Sequence, residues 1–205
     1  MLGPTVLLPG PGGERAYDLF SRLLSDRIVF LGTAIDDQVA NLVVGQLLHL
    51  DAEQPGAPIS LYLNSPGGEM TAFFAIHDTM RSLRSPVSTI CVGQAASAAA
   101  VLLAAGEPGR RVALPNARVL LHQPHGGAQG QSTDIEIQAR EMVEMRRRMI
   151  GILVTATGRD GAEIERDLDR DFILRGQAAI DYGVIDEVID IRSGERTDGP
   201  IAPPK

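Results

Sequence analysis

The chain contains no tryptophan, and aromatic residues fill only 4% of its 205 positions. A single-stranded nucleic-acid surface needs aromatic platforms for the bases, so the composition argues against that class. Clustered positive charge is equally scarce: 19 Lys and Arg stand against 26 Asp and Glu, a net charge of −7. The one basic run, Arg146-Arg147-Arg148, lies inside a helical pattern and reads as a solvated helix face. A single cysteine, Cys91, excludes an internal disulfide framework and fits a reducing compartment. No stretch approaches the roughly 18 apolar residues of a membrane span, and Met1 to Gly13 has neither the basic nor the apolar part of a secretory signal. A cytoplasmic protein without nucleic-acid or membrane partners is therefore expected. No G-x-x-x-x-G-K-[ST] string occurs, so the chain lacks its own ATP cradle; Gly126-Gly127-Ala128-Gln129-Gly130 has no lysine and reads as flexible backbone. His49, His77 and His125 have no partners at ligand spacing, so neither a metal nor another cofactor is expected.

What is present is a 44% hydrophobic chain able to bury one core. Strand-like apolar runs at 27–31, 59–63, 87–92, 118–121 and 184–191 alternate with helical patterns, which predicts an α/β fold around a mostly parallel sheet. Asp36 or Asp37 can cap a helix reaching about Leu50, with Val39, Leu42, Val43 and Leu47 on its apolar face. Further helices are predicted over 70–83, 98–105, 161–168 and 176–182. Thr133 with Glu136 forms a capping box that opens a long helix, charged on its outer face and expected to project and pack on another subunit. Residues 193–205, rich in Pro, Gly and charge, are expected to be disordered.

Chemistry concentrates where strands end. Ser97 stands between an apolar strand and the helical run Ala98 to Ala105, at a helix N-terminus where unpaired N–H groups can stabilise negative charge. His122 ends a later strand, Asp171 follows Asp169-Arg170, and Asn64-Ser65-Pro66-Gly67-Gly68 breaks another strand. Ser97 as nucleophile, His122 as base and Asp171 as orienting acid would form a triad. The N–H groups of Gly68 and Ala98 would then receive the oxyanion. Each element also has a plainer reading: a serine at a helix start is most often an N-cap, a lone histidine a structural residue, and Asp171 part of a surface ion-pair run. The string Gly93-Gln94-Ala95-Ala96-Ser97 is not the G-x-S-x-G elbow of α/β-hydrolases.

Ordered strings across roughly residues 14 to 190 decide between these readings. Gly13-Glu14-Arg15-Ala16-Tyr17-Asp18, Ser21-Arg22-Leu23-Leu24, Asn64-Ser65-Pro66-Gly67-Gly68, Gly93-Gln94-Ala95-Ala96-Ser97, His122-Gln123-Pro124, Gln129-Gly130-Gln131, Thr133-Asp134-Ile135-Glu136-Ile137 and Asp169-Arg170-Asp171 occur in order and closely resemble the proteolytic subunit of the Clp protease family. The resemblance implies a crotonase-like β/α spiral at 14–192 behind a gate-like segment at 1–13, with a handle helix opening at Thr133. It implies a serine endopeptidase with Ser97, His122 and Asp171 as triad and Gly68 and Ala98 as oxyanion donors. Gly67, Glu69, Met70, Gln123, Pro124, His125 and Gly126 would line the substrate, and Gln131, Asp169 and Arg170 would lie at the ring junction. Ser60 and Tyr62 would belong to the pocket that receives unfoldase loops. Partners implied are identical or paralogous subunits in two stacked seven-membered rings, unfolded polypeptides, and an AAA+ unfoldase that uses the ATP.

The chain departs from that family at Ala98-Ala99, where Met-Gly is usual, and at Phe73, where glycine is common. It departs again at Ser60, where many members carry tyrosine, and in Leu7 to Gly12, which replaces a polar segment. These departures point to one paralogue of a mixed barrel. Two other readings stay open: a catalytically idle subunit that shapes a partner ring, and a crotonase-type acyl-CoA enzyme.

Overall fold

A computed structural model describes residues 4–10, 13–123 and 129–189. The expected tail at 193–205 and the candidates Pro124, His125 and Gly126 lie outside these residues. The chain starts with an antiparallel hairpin, β1 (Thr5–Gly10) and β2 (Gly13–Asp18). Asp18 then caps α1 (Leu19–Ser25) by accepting from the Phe20 and Ser21 N–H groups.

The core is a seven-stranded sheet in which β3 (Ile28–Leu31), β4 (Ile59–Ser65), β5 (Val87–Ala96) and β6 (Arg111–Ala113) lie side by side and parallel. Alternation along β4 explains its placement: Ile59, Leu61, Leu63 and Ser65 are buried, while Ser60 and Tyr62 are half-buried and Asn64 is exposed. Helix α2 (Asp37–Glu53), capped by Asp36, buries Ala40, Val43, Leu47 and Leu50; Leu42, expected on that face, is 63% exposed. α2 packs against α3 (Met70–Ser82). Phe73 is fully buried in α3 and its bulk fills core. α4 (Ala98–Ala104) is buried along its whole length behind β5.

Strand β5 runs four residues beyond the expected Val92. Gly93 has φ +79° and breaks its regularity; a Cβ there would lie 2.9 Å from the Asn64 side chain. Before this point β5 pairs with β6 through Thr89–Cys91, and after it with β7 (Arg118–Leu121) through Gln94–Ala96. β7 in turn pairs antiparallel with β8 (Phe172–Leu174). The bend thus carries the last residues of β5 onto a second set of strands, and Ser97 follows directly.

The long helix α5 spans Ser132–Thr157 with Gln131 at its N-cap, one turn longer than its apolar spacing indicated and without the Thr133 capping box. Its first half is exposed, while Met149 and Leu153 anchor the second half in the core. α6 (Gly161–Asp167) and α7 (Gln177–Tyr182) follow. Of the strand expected over 184–191, the described residues 184–189 contain β9 (Glu187–Val188), while Val184 and Ile185 are buried outside any strand. No helix among the described residues is long and apolar enough to cross a membrane.

Cys91 is fully buried, and burial pushes its thiol up to about 12. The native protein should leave Cys91 unmodified by a thiol reagent at pH 8 for as long as it stays folded, and denaturant should release one reactive thiol. A mass-shift assay checks this, and rapid labelling of the native chain would contradict the burial.

Candidate active site

Three consecutive strand ends place the chemistry. In the β5–β7 register Ala96 pairs with Leu120, and the Ser97 N–H donates to the Leu120 carbonyl at 2.8 Å. In the β7–β8 register Leu121 pairs with Phe172, so the next opposed pair is His122 and Asp171. Neighbouring strands lie about 4.8 Å apart, and the same β5–β7 register sets Ser97 opposite Leu121, so Ser97, His122 and Asp171 fall at the ends of three adjacent strands, with Ser97 one residue out of line with the other two.

Ser97 adopts φ 54°, ψ −126°, a conformation that costs a side-chain-bearing residue about 1–3 kcal/mol. At the start of α7 the chain takes almost the same conformation, φ 51° and ψ −129°, and there uses glycine, Gly176. Arg27 is the other described non-glycine residue with positive φ, and three carbonyls, of Leu50, Ala57 and Pro58, hold its guanidinium. Ser97 has no such return: it occupies the N-cap position of α4, but its hydroxyl makes no cap bond there. A strained strand-to-helix turn at a serine is similar to the backbone of a nucleophile elbow, although its string differs from G-x-S-x-G.

The Gly67–Gly68 turn lies against this elbow. A Cβ on Gly67, which has φ +90°, would fall 2.7 Å from the Ser97 Cβ and 3.1 Å from the Ala98 nitrogen. Ile35 clamps the turn: its N–H donates to the Gly67 carbonyl at 2.9 Å, and its carbonyl accepts from the Glu69 N–H at 2.8 Å. In this parallel bridge the N–H of Gly68 points away from Ile35. The buried Ser65 hydroxyl accepts from the Gly67 N–H at 3.1 Å. Neither Ile35 nor Ser65 stood out as a site residue in the sequence. Ile35 works through backbone alone, and the role of Ser65 depends on the turn that it closes.

Gly68→Ala would set a Cβ 2.1 Å from the Ile35 carbonyl oxygen, with backbone on both sides of the contact. The expected outcome is a loss of peptide turnover of about 10²- to 10³-fold, with about 1–3 kcal/mol of destabilisation. Steady-state kinetics and thermal melts check it; full activity would exclude Gly68 from the site.

His122 is half-buried, and its Nδ1 lies 2.9 Å from the Gln123 carbonyl oxygen. A carbonyl oxygen only accepts, so Nδ1 donates to it, and in a neutral ring with this tautomer Nε2 is the acceptor that a general base uses. Asp171 is exposed and makes no hydrogen bond among the described residues, so strand register brings it beside His122 but the carboxylate is not docked on the imidazole. Gln123 donates its N–H to the Leu168 carbonyl, tying the end of β7 to the loop that carries Asp169, Arg170 and Asp171. Asp169 and Arg170 are 67% and 94% exposed and 3.8 Å apart. Among the described residues no group of His, Cys and carboxylates could hold a metal ion.

A family model for Clp protease matches residues 11–192. The chain belongs to the Clp protease family. Family membership makes it a Clp-type peptidase of the serine class, and the family works as ring assemblies with Clp ATPases. The remaining expected positions of this Clp protease chain lie at the starts of α3 and α5 and on β4. Glu69 precedes α3 as an exposed N-cap with no side-chain cap bond, and Met70 opens that helix. Gln131 is exposed at the start of α5. Ser60 and Tyr62 share one face of β4, and burial raises the Tyr62 phenol. Ser60 is opposite Ser88, whose buried hydroxyl has no partner among the described residues.

Proposed function

We propose that this chain is an endopeptidase subunit that cleaves unfolded polypeptides with Ser97 as nucleophile, His122 as general base and Asp171 as the orienting acid. Ser97 Oγ attacks the scissile carbonyl while His122 Nε2 takes its proton. The N–H groups of Gly68 and Ala98 receive the oxyanion, and His122 returns the proton to the leaving amine before water repeats the cycle. The observation that carries this reading is the uncapped Ser97 in a strained elbow against the Gly67–Gly68 turn. Replacing Met-Gly by Ala98-Ala99 leaves the donor intact, since any residue other than proline supplies an N–H.

The proposed setting is a crotonase-like spiral whose exposed α5 meets a second ring, with substrate lying along Gly67, Glu69, Met70 and Gln123. A cytoplasmic AAA+ unfoldase spends the ATP, so the chain itself needs no cofactor. The undocked Asp171 beside exposed Asp169 and Arg170 favours a subunit whose triad closes on ring assembly with Gln131 and Arg170 at the junction, in a mixed barrel with a paralogue. Ser60 in place of an aromatic removes apolar contact from the face proposed to receive unfoldase loops, so docking there is weak.

Hydrolysis of a short fluorogenic peptide and turnover of an enoyl-CoA, each measured alone and with candidate partner subunits alongside native mass, test the proposal. Peptide cleavage that rises with a tetradecameric mass supports it. Enoyl-CoA turnover, or an assembled ring without peptidase activity in this subunit, overturns it.

A further inference from the structure

Behind the elbow, at the opposite end of α4 from Ser97, lies a cavity of about 540 Å³ between α3, α4 and α5. Its volume is in the range of small-molecule sites. Phe74, Ala104, Ala105, Pro108 and Ile152 give it an apolar wall. Charge is one-sided: Arg81, Arg111 and Arg148 line it against a single carboxylate, Asp78. Asp78 lies 2.8 Å from His77 Nδ1. Arg111 is committed to Asp186 and to three carbonyls, including that of Ala104, so the end of α4 presents no bare acceptor at Ala104. Arg81 makes no hydrogen bond or ion pair among the described residues. Arg148 holds Glu144 through Nε, leaving its terminal nitrogens for another acceptor.

Gly151 supplies the second observation. It sits inside α5, where glycine is among the poorest helix formers, yet a Cβ there would meet nothing within 4 Å. No close packing demands glycine, and any larger residue would occupy the cavity mouth.

We propose that this cavity binds a small organic carboxylate, its apolar chain against Phe74 and Ile152 and its carboxylate on Arg81 and Arg148. This site stands independently of the peptidase reading. Charge-assisted bonds to guanidinium orient such a head group, and the apolar wall takes the tail. Saturation-transfer NMR with octanoate tests it on the full chain, with octylamine as the charge-reversed probe. Octanoate should bind with a Kd on the order of 1 mM, and octylamine should not. Arg81→Gln with Arg148→Gln should weaken binding about tenfold. Gly151→Leu should abolish it while leaving the fold intact by thermal melt, because the substitution improves helix propensity. Absence of octanoate binding, equal binding of octylamine, or binding unchanged in the Gly151→Leu protein would each overturn the proposal.

Discussion

Ser97→Ala is expected to lower peptide hydrolysis by about 10⁴- to 10⁶-fold and to leave the fold in place. Removing the nucleophile of a serine triad costs that much, because base and acid contribute little without it. Ser97→Gly should be equally inactive but more stable by about 1 kcal/mol, since glycine takes positive φ without steric cost. Opposite signs for activity and stability at one position are the mark of strain held for chemistry, and Gly176, in the same conformation without chemistry, already shows the relaxed choice. Equal stability of the serine and glycine forms would contradict the strain argument, and unchanged hydrolysis in Ser97→Ala would contradict the nucleophile. Thermal melts and steady-state kinetics on the three proteins separate these outcomes.

Arg111→Leu should destabilise the chain by about 3–5 kcal/mol, because one removal strips several buried groups of their partner. The guanidinium, only 9% exposed, pairs with Asp186 at 2.6 Å and caps the carbonyls of Ala104, Ala156 and Gly183. It therefore ties the ends of α4, α5 and α7 together just before β9 begins. For a domain of this size the expected fall in Tm is about 10 °C. Its pH dependence has a fixed sign. Burial pushes the Asp186 carboxyl up, but hydrogen bonds from the Arg111 side chain and backbone outweigh it and hold the group below its usual 3.8. A carboxylate held low stabilises the native state above its unfolded pKa and loses that contribution as pH falls through the folded value. The gap between wild type and Arg111→Leu should therefore be full near neutrality and narrow below about pH 4. A gap that widens with acid would show that another group dominates.

Much of this was legible in the sequence because strands and helices announce themselves by period. β4 reads directly from Ile59 to Leu63, and the helix expected over 70–83 is α3 within one residue. The parallel α/β class followed from the alternation of such segments. Boundaries fared less well where tertiary contacts overrode local signals. β5 continues to Ala96 because β7 supplies new partners after the Gly93 bend, a long-range event that no window of β5 contains. Helix α5 begins at Ser132 behind Gln131, where a Thr133–Glu136 capping box had indicated a start two residues later. The 184–191 run reads as one strand, yet Val184 and Ile185 are buried outside any strand.

At the site, residue types were visible but backbone was not. Ser97, His122 and Gly68 could be singled out from strand ends, whereas the positive φ of Ser97 and the clamp by Ile35 are properties of the folded chain. Asp171 became plausible only through the ordered strings, because its place opposite His122 comes from β7–β8 register. Arg111 gave no signal at all, since its partners Ala104, Ala156 and Gly183 are scattered carbonyls.

Ser97 is proposed as a nucleophile whose competence depends on assembly. Labelling with a fluorophosphonate, read by peptide mass spectrometry on the chain alone and in a ring verified by native mass, tests it most directly. One adduct is expected, on Ser97, slow in the isolated chain and faster in the ring, and absent in Ser97→Ala. An assembled ring in which Ser97 stays unmodified would contradict it.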